Sequence, residues 1–354
     1  MEEKKVLQTL LDKQKKRVWL GAIILVIILG VVGICSTISG KADIQIAEVW
    51  QIIFAKLSGQ TAALEEIKKS TVSIVWNIRL PRIITGILVG MGLAIAGVIF
   101  QAVLMNPLAD SFTMGVSPGA AFGASIALFI GMFFNLDISI SLFAFLGAMG
   151  SLLVVLYLAK VDGYATANNL IICGIIISSV LSAGISFIKS MAGEQVAAIV
   201  NWLIGSLAAR TWEQVVLIAP WLILISIGCI LCADYLNILS LGDQEARNLG
   251  VSVTKVRYGF LVAASLITAL CVSVSGIIGF IGLIVPHILR MAIGSDNRYL
   301  LPLAGLCGAC LLAAADLGAR IILAVELPVG VLTTLLGGPF FFYIFKLRKK
   351  QMAD

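Results

Sequence analysis

Between Arg257 and Arg290 the chain runs for 32 residues without a formal charge. As one helix this run would extend for about 48 Å at ~1.5 Å per residue. The hydrocarbon core of a bilayer is only ~30 Å thick. The run therefore has to turn and cross twice, and Gly276, Gly279 and Gly282 mark the place. Other charge-free runs fall at 18–40, 83–109, 111–136, 138–159, 163–188, 214–233, 299–315 and 327–345, so ten crossings are expected. Only helices and closed barrels satisfy every backbone polar group in lipid. A barrel would show alternating segments of ~10 residues instead. The chain reads as an all-α polytopic membrane protein.

Composition agrees: 60% of residues are hydrophobic and 12% are charged, against ~25% charged in an average soluble protein. The loops leave no room for a catalytic domain. Residues 1–17 are expected to form a cytoplasmic tail, 18–345 a single transmembrane domain, 234–257 its main cytoplasmic loop, and 346–354 a second cytoplasmic tail. The basic segment Lys13-Gln-Lys-Lys-Arg17 precedes a 23-residue apolar run, longer than the ~7–15 residues of a signal-peptide core. It reads as the first span. With the N-terminus inside, 16 of the 25 Lys and Arg residues are cytoplasmic. This positive-inside asymmetry accounts for the net charge of +6 without nucleic acid as a partner. Ten spans divide as five plus five, and an odd-numbered repeat enters the membrane with opposite polarity, as in inverted-repeat transporters.

Several polar features lie on this frame. Asn106-Pro107 should end the second span, because proline removes a donor and clashes with the preceding turn. Lys160–Gly163 is a short connection between spans four and five. Gln195–Ala209 is apolar but too short to span, and reads as a short helix at the outer face. Thr166-Ala167-Asn168-Asn169 suits a helix N-cap. Asp316 lies one turn from Arg320, the spacing of a helical ion pair. Cys229/Cys232 and Cys307/Cys310 have Cys-x-x-Cys spacing, but lie in apolar helices with no carboxylate or histidine cluster nearby. Helix packing is the reading, and neither metal nor cofactor is expected. Gly115-Val-Ser-Pro-Gly119 matches a nucleophile-elbow pattern, yet it opens a membrane helix, and the chain has one histidine, His287. An intramembrane protease built on Ser117 and His287 would lack a third partner. An ion-coupled secondary transporter would need a midplane ion site, and no paired acids occur there.

The most informative loop is Leu236–Val253. Gly242 and Gly250 bracket a helix of about two turns, a length that is marginal in water by itself. It is expected to dock on something. Asp243 and Arg247 have the i, i+4 order that favours an ion pair. This loop resembles the coupling segment of permeases in the iron-siderophore, haem and cobalamin ABC importer family. The resemblance extends to Arg79-Leu-Pro-Arg82, Asn106-Pro-Leu-Ala-Asp110 and Gly115-Val-Ser-Pro-Gly119. It continues through Gly276–Arg290, with its Pro286-His287, and through Glu326-Leu-Pro-Val-Gly-Val-Leu-Thr-Thr. The motifs stand in family order across roughly residues 75–345.

The resemblance implies a type II ABC importer permease fold of about ten helices, working as a homodimer or heterodimer. Its partners would be an ABC ATPase and an extracytoplasmic substrate-binding protein. It implies transport of a bulky metal chelate, iron-siderophore first, with haem or cobalamin next, and no catalysis by this chain. It assigns ATPase coupling to Leu241, Gly242, Asp243, Ala246, Arg247, Leu249, Gly250 and Val251. It assigns an inner gate to Thr166, Ala167, Asn168 and Asn169. Arg79, Arg82 and Arg320 fall at the outer face against the positive-inside trend. They have two readings: docking of acidic residues of the binding protein, as the resemblance implies, or pairing with lipid or neighbouring carboxylates such as Glu326. The protein is expected in the cytoplasmic membrane with both termini inside.

Overall fold

The computed structural model describes residues 2–40, 42, 44–59, 64–65, 67–160, 165–322 and 326–351. Among these residues it is built of helices, with no strand. In chain order they are α1 (Glu2–Ile38), α2 (Ile46–Ser58), α3 (Lys69–Ser73), α4 (Leu80–Val103), α5 (Val116–Phe134), α6 (Ile140–Leu158), α7 (Ala167–Met191), α8 (Val196–Leu203), α9 (Trp212–Leu231), α10 (Ala233–Leu239), α11 (Asp243–Asn248), α12 (Val253–Ser275), α13 (Ile281–Ile293), α14 (Asn297–Ile321) and α15 (Val329–Gln351). Eight helical segments are long and apolar enough to cross a membrane, and two shorter apolar helices, Ile281–Ile293 and Val329–Phe340, accompany them. This agrees with ten expected crossings. The second span is longer than its charge-free run: a π-helical turn, Ile74–Arg79, joins α3 to α4 into one rod, Lys69–Val103. The expected connection Lys160–Gly163 lies outside the described residues except for Lys160.

α4 is the central post. It packs against α14, α12, α13 and α9, and 83% of the most apolar window of its rod is buried. Small residues permit this approach, as expected where helices associate in lipid through close backbone contact. Gly90 meets Gly308 of α14 and Gly97 meets Gly282 of α13, so closely that a Cβ on Gly90 or Gly97 would overlap the opposite backbone. α1 is the opposite case. It packs on α14, and none of its most apolar window is buried (0%). The apolar part of α1 is suited to lipid on the side that α14 leaves uncovered.

The turn inside the long charge-free run spans residues 276–280, not Gly276 to Gly282. Gly276 (φ 67°) and Phe280 (φ 69°) take the left-handed backbone, and Gly282 is already inside α13, where it serves the contact with Gly97. The Ser206 N–H donates to the Ser275 carbonyl at 2.8 Å, which pins the chain after α8 to the end of α12. The helix before Asn106-Pro107 ends at Val103, as the proline requires. The Asn106 side chain then accepts the Leu108 N–H at 2.9 Å and turns the chain toward α5.

The bundle has two polar ends. At one, the starts of α4, α9 and α15 meet the ends of α1, α12 and α14; there the Trp212 indole donates to the Trp76 carbonyl at 2.7 Å. At the other end lie α10, α11 and the start of α14, where the Asn237 amide donates to Asp296 at 2.8 Å.

Candidate functional site

The loop between α9 and α12 is shaped by its glycines. Gly242 (φ 114°) and Gly250 (φ 81°) adopt backbone conformations that side chains rarely permit, and between them α11 is a single short helix of six residues. Ala246 is its buried foot, and its carbonyl accepts the Val251 N–H at 3.0 Å. Leu241 and Leu249, flanking the helix, are each 61% exposed. Two leucines on one small polar projection, with α11 between them, make an apolar surface that the chain itself leaves uncovered.

α11 is anchored from α12. Arg257, 2% exposed, grips Asp243 with both ends of its fork: Nη2 donates to Oδ1 at 2.6 Å and Nη1 to Oδ2 at 3.0 Å. The hydrogen bond from Arg257 holds the Asp243 carboxyl below the usual carboxylate range, against partial burial, and Arg247 adds a weaker electrostatic pull. The bound partner of Asp243 is thus Arg257 rather than the expected Arg247. Local spacing suggested the neighbour, and the packing of α11 on α12 presents a buried bidentate donor instead, the stronger geometry. A signal for Arg257 was present in the sequence. A cation in the first turns of a helix faces the unfavourable end of its dipole, so it calls for a carboxylate.

The same Arg257 Nη1 also donates to the Ala165 carbonyl at 3.3 Å. Ala165 precedes the expected gate segment. Thr166 there caps α7, its hydroxyl accepting the Asn169 N–H at 3.2 Å; Ala167 is buried and Asn168 exposed. Next to Arg257, the Tyr258 ring lies under the Lys160 ammonium, 5.8 Å from centroid to nitrogen.

At the opposite end, Arg79, Arg82 and Arg320 line one cavity of about 640 Å³ with Glu326, Ser39 and Gly40. All three guanidinium groups have internal partners. Arg79 donates to the carbonyls of Thr37 (2.5 Å), Ile38 (2.8 Å) and Ala42 (2.9 Å). Arg82 binds Asp316 through Nε (3.1 Å) and Nη2 (3.0 Å), and Glu326 through Nη1 (2.9 Å). Arg320 pairs with Asp316 at 3.4 Å, as its i, i+4 spacing predicts. The second partner of Asp316, Arg82, is 234 residues away, which no local pattern foretells. Asp316 is 5% exposed, whereas Glu326 is 50% exposed.

The remaining candidates resolve as packing. Ser117 is buried and its hydroxyl donates to Ser111, so the elbow-like motif serves the start of α5. His287 is buried within α13. The Cys310 thiol donates to the Leu25 carbonyl at 3.2 Å, tying α14 to α1.

The sequence profile of the FecCD transport family matches residues 25–346. The chain belongs to the FecCD transport family. It is 42% identical over 273 residues to the uncharacterized ABC transporter permease protein YvrB of Bacillus subtilis, covering 76% of this chain and 77% of that one. It is 38% identical over 287 residues to the hemin transport system permease protein HmuU of Yersinia pestis, covering 79% and 85%. A chain from the inward-facing structure of a metal-chelate type ABC transporter superposes with a TM-score of 0.78 at 30% identity, covering 92% of this chain and 98% of that one. The chain is thus a multi-pass membrane protein, an ABC permease of the FecCD transport family.

Proposed function

We propose that this permease carries a bulky metal chelate, an iron-siderophore, delivered by an extracytoplasmic binding protein and driven by a separate ABC ATPase seated under α11. The observation that carries this reading is the exposed pair Leu241 and Leu249 around a short helix whose opposite side is locked to the body through Asp243 and Arg257. Exposed apolar side chains on an otherwise polar projection favour a protein partner. In this reading α11 with Leu241, Gly242, Arg247, Gly250 and Val251 fits a cleft of the ATPase. Two permease subunits then rearrange as rigid bodies around a shared pathway, gated on the inside by Thr166–Asn169. Both termini are cytoplasmic. Among relatives, one carries the name of an Fe(3+)-citrate permease, another of a cobalamin permease and a third of a molybdate permease. The breadth of those names is consistent with cargo choice residing largely in the binding protein.

The arginine cavity is the proposed docking point for acidic residues of the binding protein. Glu326, half exposed, holds Arg82 through Nη1. A partner carboxylate can take its place, because the arginine fork accepts carboxylates interchangeably. Association of the binding protein with nanodisc-embedded transporter is then expected to slow with added salt and to quicken in Glu326→Gln. Insensitivity to both would leave the arginines as internal struts alone. For the coupling surface, Leu241→Glu combined with Leu249→Glu is expected to abolish co-purification of the ATPase with a normally inserted permease. Undiminished co-purification would remove α11 as the contact.

A further inference from the structure

One side chain touches both the coupling helix and the segment that begins α7. Arg257 Nη1 lies 3.0 Å from Asp243 Oδ2 and 3.3 Å from the Ala165 carbonyl. Asp243 is the first residue of α11, and Ala165 immediately precedes the Thr166 cap of α7. Arg257 is buried, so water has little access to its nitrogens. The neighbouring Tyr258 makes a second tie to the same stretch through Lys160 at the end of α6. A cation held over an aromatic face adds a contact that tolerates small shifts.

We infer that Arg257 is the positioning residue that transmits movement of α11 to the inner end of α7, by holding Asp243 and the Ala165 carbonyl on one nitrogen. The inference rests on the reading of α11 as the ATPase contact and names how that contact reaches the gate. Two features carry it. The fork fixes the orientation of α11 bidentately, so a displacement of Asp243 reorients the whole guanidinium rather than sliding past it. The Ala165 carbonyl, at the longer distance, is the weaker of the two bonds and yields first. Release of the Ala165 carbonyl frees the residue that precedes the Thr166 cap, and with it the start of α7. Coupling through such a link is reciprocal: whatever favours one arrangement at α7 favours the matching one at α11.

The test uses the complete transporter, with its ATPase, in nanodiscs. A cysteine-free permease carries a single fluorophore at Asn168→Cys, an exposed position in the gate segment. The readouts are ATPase co-purification, ATP hydrolysis and the ATP-induced change in fluorescence. Arg257→Lys keeps the charge but loses the fork; Arg257→Gln keeps a hydrogen-bond donor but loses the charge. Both variants are expected to retain the ATPase and its hydrolysis while the ATP-induced signal at position 168 falls by roughly fivefold or more, the usual lower bound of an allosteric coupling factor. A full-sized signal in both variants, with hydrolysis intact, overturns the inference, as does a loss of protein yield with an unchanged signal per folded molecule. Failure of the underlying reading looks different: the Leu241→Glu, Leu249→Glu permease would still capture the ATPase.

Discussion

The two polar ends of this permease use the same chemistry, arginine against carboxylate, to opposite purposes. At the cavity end, Arg82 and Arg320 converge on one nearly inaccessible carboxylate, Asp316, and Arg79 is filled by three backbone carbonyls. These bonds join α1, α4 and α14, segments far apart in sequence. At the loop end, one buried arginine holds a partly exposed carboxylate 14 residues away and leaves two leucines uncovered beside it. The first arrangement is a fastening and the second a mount. The difference lies in whether the carboxylate is buried along with its arginine. A buried carboxylate with two arginines has nowhere to go, whereas an exposed carboxylate on a short helix can move with whatever grips that helix.

The contrast is open to test, and the largest effect is expected at Asp316. Asp316→Ala leaves two buried guanidinium groups short of their counter-charge, and breaking such a pair costs about 3–5 kcal/mol. Thermal unfolding of the detergent-solubilised permease should shift down strongly, or the protein should fail to accumulate. A mild shift would mean the cavity end is no fastening. Next comes Glu326→Gln, which removes the exposed arm of the same cluster. Exposed ion pairs contribute only ~0–1 kcal/mol, so its melting temperature should stay close to that of the parent. If the two substitutions cost the same, burial is not what separates the partners of Arg82.

Smaller still is the expected effect of Leu241→Glu with Leu249→Glu, because exposed substitutions away from packed features stay within about 0.5 kcal/mol each. Melting should be unchanged even as the ATPase is lost. A large drop in melting temperature would show that the leucines serve the fold. The smallest response is expected from pH. The Asp243 carboxyl is depressed in the folded protein, chiefly by the Arg257 hydrogen bond. Its stabilising contribution is therefore fully present above the unfolded-state value of ~3.9 and is lost only as pH falls below it through the folded value. Hydrogen exchange of α11, corrected for intrinsic rates, should be flat between pH 5 and 8. Loosening within that window would point to another titrating group.

Much of this architecture could be read in advance because hydrophobicity is local. The spans followed from runs without charge, the end of α4 from Pro107, and the limits of α11 from Gly242 and Gly250. Helix packing blurred the smaller marks. In sequence Gly282 groups with the turn, because a glycine needed for close approach to Gly97 looks the same there as a glycine needed for a bend. The extension of α4 back to Lys69 was hidden by its polar residues, which end a charge-free run without ending a helix.

The sequence by itself determined that the chain is a bundle of membrane helices, where most of them begin and end, apart from the starts of α1 and of the rod that holds α4, and which family motifs they carry. Each depends on the composition of a short stretch and on the cost of exposing it to lipid or water. Only the tertiary structure decided the partners of the charges: Arg82 with Asp316 and Glu326, Arg257 with Asp243 and Ala165. An ion pair is selected by the distance between side chains after the helices have packed, and that distance is set by every contact along α4, α12 and α14 together. For Asp243, spacing along the chain offered Arg247. The fold placed Arg257 beneath it, where burial weakens screening and strengthens the attraction.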